Sequence, residues 1–346
     1  MQKQKAGDLA GAVAGYKEFL KIHPEATPIH TNLGVALAGL GRYQEAVSEY
    51  KIALRQSPTF PAARLNLALA YYKMGYISEA AMQLIRVHHE EPANMQAMLL
   101  LGDCYLRMGK NQETITLLQP LAKTQPNDLA VAYMLGTALL KNKQRDEGAA
   151  VIDRILRDGD SAESHLLLGM TKFEAMQYPE AIADLMRAAE INPNLPDVYS
   201  YLGQAQMASG DMNAAREAFE KEVSGNPNDF ESNVRLAVLL KQEGNYERAL
   251  ALLNRALLVR PQDPGALYQV GATYLASGDT NHACSSLESV VKQYPEFLEA
   301  HVSLAQVYYR LRRKQEGDRE REIVQKLKTE QDAEQSKVKG EVQPRR

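Results

Sequence analysis

A fixed repeat length is the feature of this sequence that most constrains its fold. A leucine or valine followed by glycine or alanine recurs every 34 residues, with a single step of 33. The nine copies are Leu33-Gly34, Leu67-Ala68, Leu101-Gly102, Leu135-Gly136, Leu168-Gly169, Leu202-Gly203, Leu236-Ala237, Val270-Gly271 and Leu304-Ala305. A period of this length is typical of solenoids, in which each supersecondary unit stacks on the next. The pattern predicts nine repeat units over residues 25–328.

Each repeat is predicted to be a pair of antiparallel helices. In the first repeat, Leu33 and Leu37 belong to an apolar stripe with helical spacing, and Gly41 supplies a backbone that can end the helix. A second stripe passes through Tyr50 and stops before Pro58, because the residue before a proline disfavours helical geometry. Since no segment alternates like a strand, the sequence predicts an all-α fold.

Small residues recur at the points where the two helices of a repeat are expected to cross. The glycine or alanine of the repeated dipeptide is matched in the second helix by alanine or glycine, and only Thr114 departs from this rule. Close approach of two helices requires such small side chains. The turn between the helices usually carries glycine, but Lys143 and Met176 occupy that position in two repeats.

These positions resemble the motif of the tetratricopeptide repeat (TPR) family, which also closes each repeat with a proline. The matching residues are Pro58, Pro92, Pro126, Pro193, Pro227, Pro261 and Pro295. The early tryptophan of the motif is absent, and His30, His165 and His301 fill its site in three repeats, where a structural role is expected. The resemblance implies a right-handed TPR superhelix, an α-solenoid of antiparallel helix pairs.

The two ends and one junction depart from the repeat pattern. Residues 1–24 are predicted to be the second helix of a truncated repeat, which suggests that the encoded protein extends upstream or that its start is misassigned. Residues 329–346 are polar and are predicted to be a disordered tail after a capping helix. The segment Asp158 to Ser161, where one residue of the period is missing, is either a hinge or a tighter turn.

Composition excludes some classes of partner. A net charge of −3 and a pI of about 6.2 give no whole-chain attraction for nucleic acid. No apolar run approaches the roughly 20 residues of a membrane-spanning helix, so direct membrane insertion is not expected. Cys104 and Cys284 lie five repeats apart and are predicted to be buried, reduced thiols. The expected compartment is the cytoplasm, or the periplasm or exterior if a signal lies upstream.

No motif in the sequence predicts catalysis. Phosphate-binding glycine loops, nucleophile elbows and zinc-protease signatures are all absent from it. The most metal-like cluster is His88-His89-Glu90-Glu91, but adjacent helical residues point about 100° apart and rarely bind one ion. No catalytic, cofactor or metal site is therefore expected.

In the TPR family the first helices of successive repeats line a groove, so its residues follow from the period. The predicted peptide-binding residues in the middle repeats are Tyr72, Asp103, Leu106, Tyr133, Thr137, Met170, Phe173, Gln204 and Met207. The corresponding positions of the last three repeats are Val234, Val238, Lys241, Tyr268, Ala272, Leu275, Val302, Gln306 and Tyr309. An alternative is that several of the groove leucines, among them Leu65, Leu99 and Leu166, pack between neighbouring first helices. The residue set that some family members use to clamp a terminal carboxylate is absent from the first three repeats.

The resemblance and the apolar groove together predict a non-enzymatic scaffold that binds a peptide or amphipathic helix of a partner protein. By analogy with bacterial members of the family, such a scaffold serves envelope assembly, secretion or pilus assembly. The alternative is the substrate-recruiting region of a larger enzyme whose catalytic domain lies upstream. A further expectation is self-association through the exposed N-terminal helix.

Overall fold

The computed structural model describes residues 8–157 and 160–341 of the chain. Within these ranges all regular secondary structure is helical, which confirms the all-α fold class. The helices are α1 (Leu9–Ile22), α2 (Thr27–Gly39), α3 (Tyr43–Gln56), α4 (Pro61–Met74), α5 (Ile77–Glu90), α6 (Met95–Arg107), α7 (Asn111–Thr124), α8 (Leu129–Lys141), α9 (Arg145–Arg157), α10 (Ala162–Glu174), α11 (Tyr178–Ile191), α12 (Val198–Ser209), α13 (Met212–Gly225), α14 (Phe230–Gln242), α15 (Tyr246–Val259), α16 (Pro264–Ser277), α17 (Thr280–Gln293), α18 (Leu298–Arg310) and α19 (Lys314–Glu341).

The chain divides into two compact units, and the boundary between Ala218 and Phe219 falls inside α13. In the first unit, each helix from α1 to α11 packs against the next one as an antiparallel neighbour joined by a short turn. The first helices of successive pairs also touch, as α2 does α4 and α8 does α10. The second unit repeats this arrangement, with α14 touching α16 and α16 touching α18. We call the surface made by these first helices of a unit its first-helix face.

Glycines in the first helices allow close crossing of the two helices in a pair, as the sequence predicted. A Cβ atom added to Gly34 would lie 2.4 Å from the ring of Tyr50 in the second helix. A Cβ atom added to Gly169 would likewise lie 2.6 Å from the Cγ of Leu185. These distances leave no room for a methyl group. Helix pairs of this kind therefore depend on the missing side chain.

The turns between paired helices contain residues in the left-handed backbone region. Gly41 and Gly244 have φ values of 74° and 82° there, which glycine adopts without steric cost. Lys143 and Met176, which replace the turn glycine, adopt the same region with φ of 62° and 60°. Such a backbone costs a side-chain-bearing residue about 1–2 kcal/mol. The packing of the flanking helices thus imposes the turn even where the residue does not favour it.

The first helix, α1, packs on α2 as the second helix of a pair would. Ala12, Val13 and Tyr16 are buried in this contact, whereas Phe19 and Ile22 are 43% and 75% exposed. Phe19 and Ile22 are therefore the apolar side chains of α1 that are open to the self-association predicted for this helix.

The described residues include only part of the predicted hinge between Asp158 and Ser161. Asp158 and Gly159 of the predicted hinge lie outside the described residues, whereas Ser161 caps α10 by accepting a hydrogen bond from the Ser164 backbone N–H.

The predicted boundary at residue 328 differs from the structure, because α19 continues to Glu341. Residues 329–341 are mostly strong helix formers without proline, so local propensity extends the helix past its last packed turn.

Candidate functional site

The structure places the nine predicted groove residues of the first unit in different environments. Four of them are buried: Leu106 at 8% exposure, Thr137 at 1%, Met170 at 2% and Gln204 at 9%. Their side chains fill the space between neighbouring helices and do not lie on the first-helix face. The alternative of leucines packing between first helices fits Leu106, which belongs to the core of this unit.

Three half-buried polar side chains form a network at the centre of the same face. The Tyr72 hydroxyl donates a 2.5 Å hydrogen bond to Asp103, and the Nε of Arg107 donates another of 2.8 Å to the same carboxylate oxygen. The Arg107 guanidinium also lies 5.3 Å from the centre of the Tyr72 ring. Burial raises the pKa of the Tyr72 hydroxyl, so it stays protonated as a donor.

The network reaches across the unit to the loop before α12. Burial of Arg107 acts to lower its pKa, but the carboxylates of Asp103 and Asp197 outweigh this effect and hold that pKa well above the ordinary value. Asp197 has a left-handed backbone, with φ of 68°, at the start of α12. Residues of α4, α6 and the α12 entry are thus electrostatically coupled on this face.

The two aromatic residues predicted as anchors also contact their own chain. The Tyr133 hydroxyl donates a 3.2 Å hydrogen bond to the carbonyl of Pro196 in the same loop. The Phe173 ring packs edge-on against that of Tyr201, with centroids 6.5 Å apart. Tyr133, Phe173 and Met207 are each half-buried, so each keeps an accessible edge. They remain candidates for partner contact together with Tyr72 and Asp103.

The first-helix face of the second unit carries a cleft of about 580 Å³. Its walls come from α14, α16, α18 and α19. The lining residues are Lys241, Tyr268, Ala272, Leu275, Ala276, Leu298, Glu299, Val302, Ser303, Gln306, Arg310 and Lys328. Six of them occupy positions that the repeat period assigns to the groove: Lys241, Tyr268, Ala272, Leu275, Val302 and Gln306.

The sequence interpretation placed the binding centre in the middle repeats because their groove positions hold the larger aromatic residues. In the structure, Tyr72, Tyr133 and Phe173 each contact another residue of their own chain. The signal for the cleft was Lys241, the one cation among the periodic groove positions. Arg310 and Lys328 were missed because they lie outside those positions: Arg310 is the last residue of α18, and Lys328 lies in the middle of α19.

A second cavity, of about 680 Å³, opens in the first unit between α5, α6 and α7. Its lining includes Ile85 and His88 of α5 and Leu117 of α7, which are not groove positions. Pro120 interrupts the hydrogen bonding of α7 beside it, and buried Thr114 takes the site where other repeats have alanine or glycine. The cavity therefore coincides with the repeat whose helices depart furthest from the small-residue rule.

The histidines at the tryptophan site of the motif tie each first helix to its surroundings. The Nε2 of His301 lies 2.9 Å from the Pro295 carbonyl, and its Nδ1 lies 2.5 Å from Glu320 in the second helix. His30 makes the same pair of contacts, with Pro24 at 2.8 Å and Glu49 at 2.7 Å. Both ring nitrogens are engaged in holding the repeat together, as the structural role predicted for these histidines requires.

Both cysteines are buried and free, which confirms the prediction of buried thiols. Burial and, after it, a hydrogen bond to the Glu288 carboxylate together raise the pKa of Cys284 to about 11. Among the described helices, none combines the length and the apolar character that crossing a bilayer requires.

Four family models match the chain, and together they span residues 36–128 and 169–296. The model described as "TPR repeat" matches residues 36–75 and 169–210. Three models described as "Tetratricopeptide repeat" match residues 65–128, 207–270 and 265–296.

Curated relatives match shorter stretches. Superkiller protein 3 of Schizosaccharomyces pombe is 29% identical over 135 residues, which cover 37% of this chain and 10% of that protein. The Drosophila melanogaster homolog of the BBSome complex member BBS4 is 28% identical over 142 residues, covering 37% of this chain and 29% of that protein. The TPR repeat-containing thioredoxin TTL4 of Arabidopsis thaliana is 32% identical over 83 residues, which cover 24% of this chain and 12% of that protein. The chain thus spans less than a third of the length of each of these relatives.

A solved structure gives an independent view of the fold. The crystal structure of the APC/C hetero-tetramer Cut9–Hcn1 aligns with a TM-score of 0.57 at 12% identity, over 91% of this chain and 78% of that chain. At this identity the likeness shows the fold alone. The family models, the 34-residue period and the helix pairs agree, and the chain belongs to the tetratricopeptide repeat family.

Proposed function

We propose that this chain is a non-enzymatic protein-interaction scaffold whose first-helix faces bind a peptide or helix of a partner protein. Membership of the TPR family supports a protein-interaction role in general. The observation that carries the finer proposal is the cleft of about 580 Å³ in the second unit. It lies at periodic groove positions and falls in the size range of ligand sites, roughly 300–1,000 Å³.

The chemistry of the cleft suits a peptide. Tyr268, Ala272 and Leu275 of α16 face Val302 of α18 across it, so an apolar side chain can be buried there. Ser303 and Gln306 add hydrogen-bonding groups that can orient a peptide backbone. An apolar floor with a few polar groups is the usual composition of a recognition pocket.

Filling the cleft provides the test. Peptides are selected from a random phage-displayed library against the full chain, and their affinities are measured by fluorescence anisotropy. Ala272→Trp places a large side chain in the cleft and is expected to weaken binding at least tenfold. Ala251→Trp, on an exposed position of α15 in the same unit, is the matched control and is expected to bind normally. Selected peptides that bind both variants as well as the parent would exclude the cleft.

The first-helix face of the first unit is a second surface for the same function. Its accessible anchors are tested by the double substitution Tyr133→Ala with Phe173→Ala. This variant is expected to lose binding of those selected peptides whose affinity Ala272→Trp does not change. Circular dichroism checks that the fold is intact. If neither variant changes the binding of any selected peptide, the groove proposal fails for both units.

The second candidate, a recruiting region of a larger enzyme, is favoured by one comparison. The name of the Arabidopsis relative joins TPR repeats to a thioredoxin. Sequencing the gene on the N-terminal side of the present chain tests this candidate, which requires a catalytic domain there. The bacterial envelope, secretion or pilus setting stays a prediction, to be tested by fractionating cells that carry the tagged chain.

A further inference from the structure

The cleft in the second unit contains an ammonium group without an anionic partner. The Nζ of Lys241 donates a 2.7 Å hydrogen bond to the side-chain carbonyl of Gln269, its one partner among the described residues. Burial lowers the pKa of Lys241, because the half-buried ammonium has lost water and gained no carboxylate in return. A partly desolvated cation of this kind is stabilised when an anion binds beside it.

Two further cations stand at the cleft. Arg310, in the last turn of α18, donates to the Leu275 carbonyl at 3.1 Å and retains further N–H groups. Lys328 lines the cleft from α19 and has no partner among the described residues. Glu299 is the one carboxylate of the lining. The cleft therefore has an excess of positive charge within a chain whose net charge is −3.

The cations lie at two ends of an apolar floor. Arg310 ends α18, and Leu298 begins it, about 18 Å away at the helical rise of 1.5 Å per residue. Because α19 returns antiparallel to α18 after a short turn, Lys328 lies beside the beginning of α18. Between these ends the lining consists of apolar and aromatic residues of α16 and α18, together with the uncharged polar side chains of Ser303 and Gln306. A single carboxylate cannot reach cations at both ends.

We propose that the cleft of the second unit selects a partner segment in which acidic side chains flank an apolar one on both sides. This inference rests on the proposed function and names the class of peptide that the cleft takes. The apolar side chain would enter between Tyr268 and Val302, while its acidic neighbours meet Lys241 and Arg310 at one end and Lys328 at the other. Charge complementarity and apolar burial would then act on the same segment.

The test uses three synthetic hexapeptides with both ends blocked, so that no terminal carboxylate is present. They have a central Leu-Phe pair flanked on each side by two glutamates, two glutamines or two lysines. Anisotropy with the full chain at low salt is expected to show the glutamate peptide binding at least tenfold more tightly than the glutamine peptide. The lysine peptide is expected not to bind. Added salt should weaken the binding of the glutamate peptide alone, since salt screens its charge pairs with the cleft.

Variants assign the effect to the cleft. Lys241→Met keeps the apolar stem but removes the charge. It is expected to weaken binding of the glutamate peptide about tenfold while leaving binding of the glutamine peptide unchanged. Lys241→Arg should retain binding. Lys292→Met, on an exposed position of α17 in the same unit, is the matched control and should have no effect.

The outcomes separate this inference from the proposed function. If library peptides lose binding in Ala272→Trp but carry no acidic residues, and Lys241→Met binds normally, the acidic class is wrong although the cleft binds peptides. If the glutamate peptide binds Ala272→Trp as well as the parent, it adsorbs elsewhere and the inference is overturned. If no peptide responds to either substitution, the proposed function of the cleft fails as well.

Discussion

The substitution Gly34→Ala tests the physical basis of the repeat, the close crossing of α2 and α3. The added methyl group would lie 2.4 Å from Cε1 of Tyr50 and 2.8 Å from two further ring atoms. Tyr50 is 1% exposed and belongs to the core of these repeats, so its ring has no free space to enter. The helices must move apart or the ring must leave its rotamer.

The magnitude follows from two opposing effects. Alanine is favoured over glycine inside a helix by about 1 kcal/mol. Overpacking a filled core costs about 1–3 kcal/mol, and a contact this short belongs at the upper end of that range. The expected net loss of stability is about 1–2 kcal/mol. Gly15→Ala is the matched control, because its added methyl group meets no atom within 4 Å and should stabilise α1 by about 0.5–1 kcal/mol.

Urea unfolding followed by far-ultraviolet circular dichroism compares the two variants with the parent chain. Because repeat proteins open locally, hydrogen exchange of the α2 and α3 amides is measured as well and should accelerate in Gly34→Ala alone. Equal stabilisation by both glycine substitutions would refute the close-crossing argument.

Three further predictions concern single side chains. His301→Ala should destabilise the second unit by about 2–4 kcal/mol, because the buried His301 ring bonds both the Pro295 carbonyl and the half-buried Glu320 carboxylate and both bonds are lost. His301→Asn should recover part of this loss, since Asn233 bonds the corresponding proline carbonyl at 3.0 Å; equal urea midpoints would contradict this. With a Cys284 pKa of about 11, iodoacetamide should alkylate the folded chain about tenfold faster per pH unit from 7.5 to 9.5, and a plateau near pH 8.5 would contradict the raised value. Tyr72→Phe should cost about 1–2 kcal/mol in urea unfolding through the lost hydrogen bond to Asp103, and an unchanged midpoint would show that the bond contributes nothing.

The sequence alone determined the helices and their pairing. The 34-residue period, the glycines at crossings and turns and the closing prolines act over a few residues, so their meaning does not depend on the rest of the chain. Even Lys143 and Met176, poor residues for the turn, were placed correctly by the period. At the C-terminal end the structure differs from the predicted boundary: low hydrophobicity predicts a disordered tail, whereas α19 continues through residues that favour helix as far as Glu341.

Tertiary structure decided which groove positions are accessible. Leu106, Met207 and Lys241 occupy the same position of their repeats, yet Leu106 is buried, Met207 is half-buried and Lys241 lines an open cleft. The repeat position alone does not distinguish these environments. Accessibility depends on the spacing between neighbouring first helices, and that spacing is set by the volumes and charges of side chains from several repeats at once.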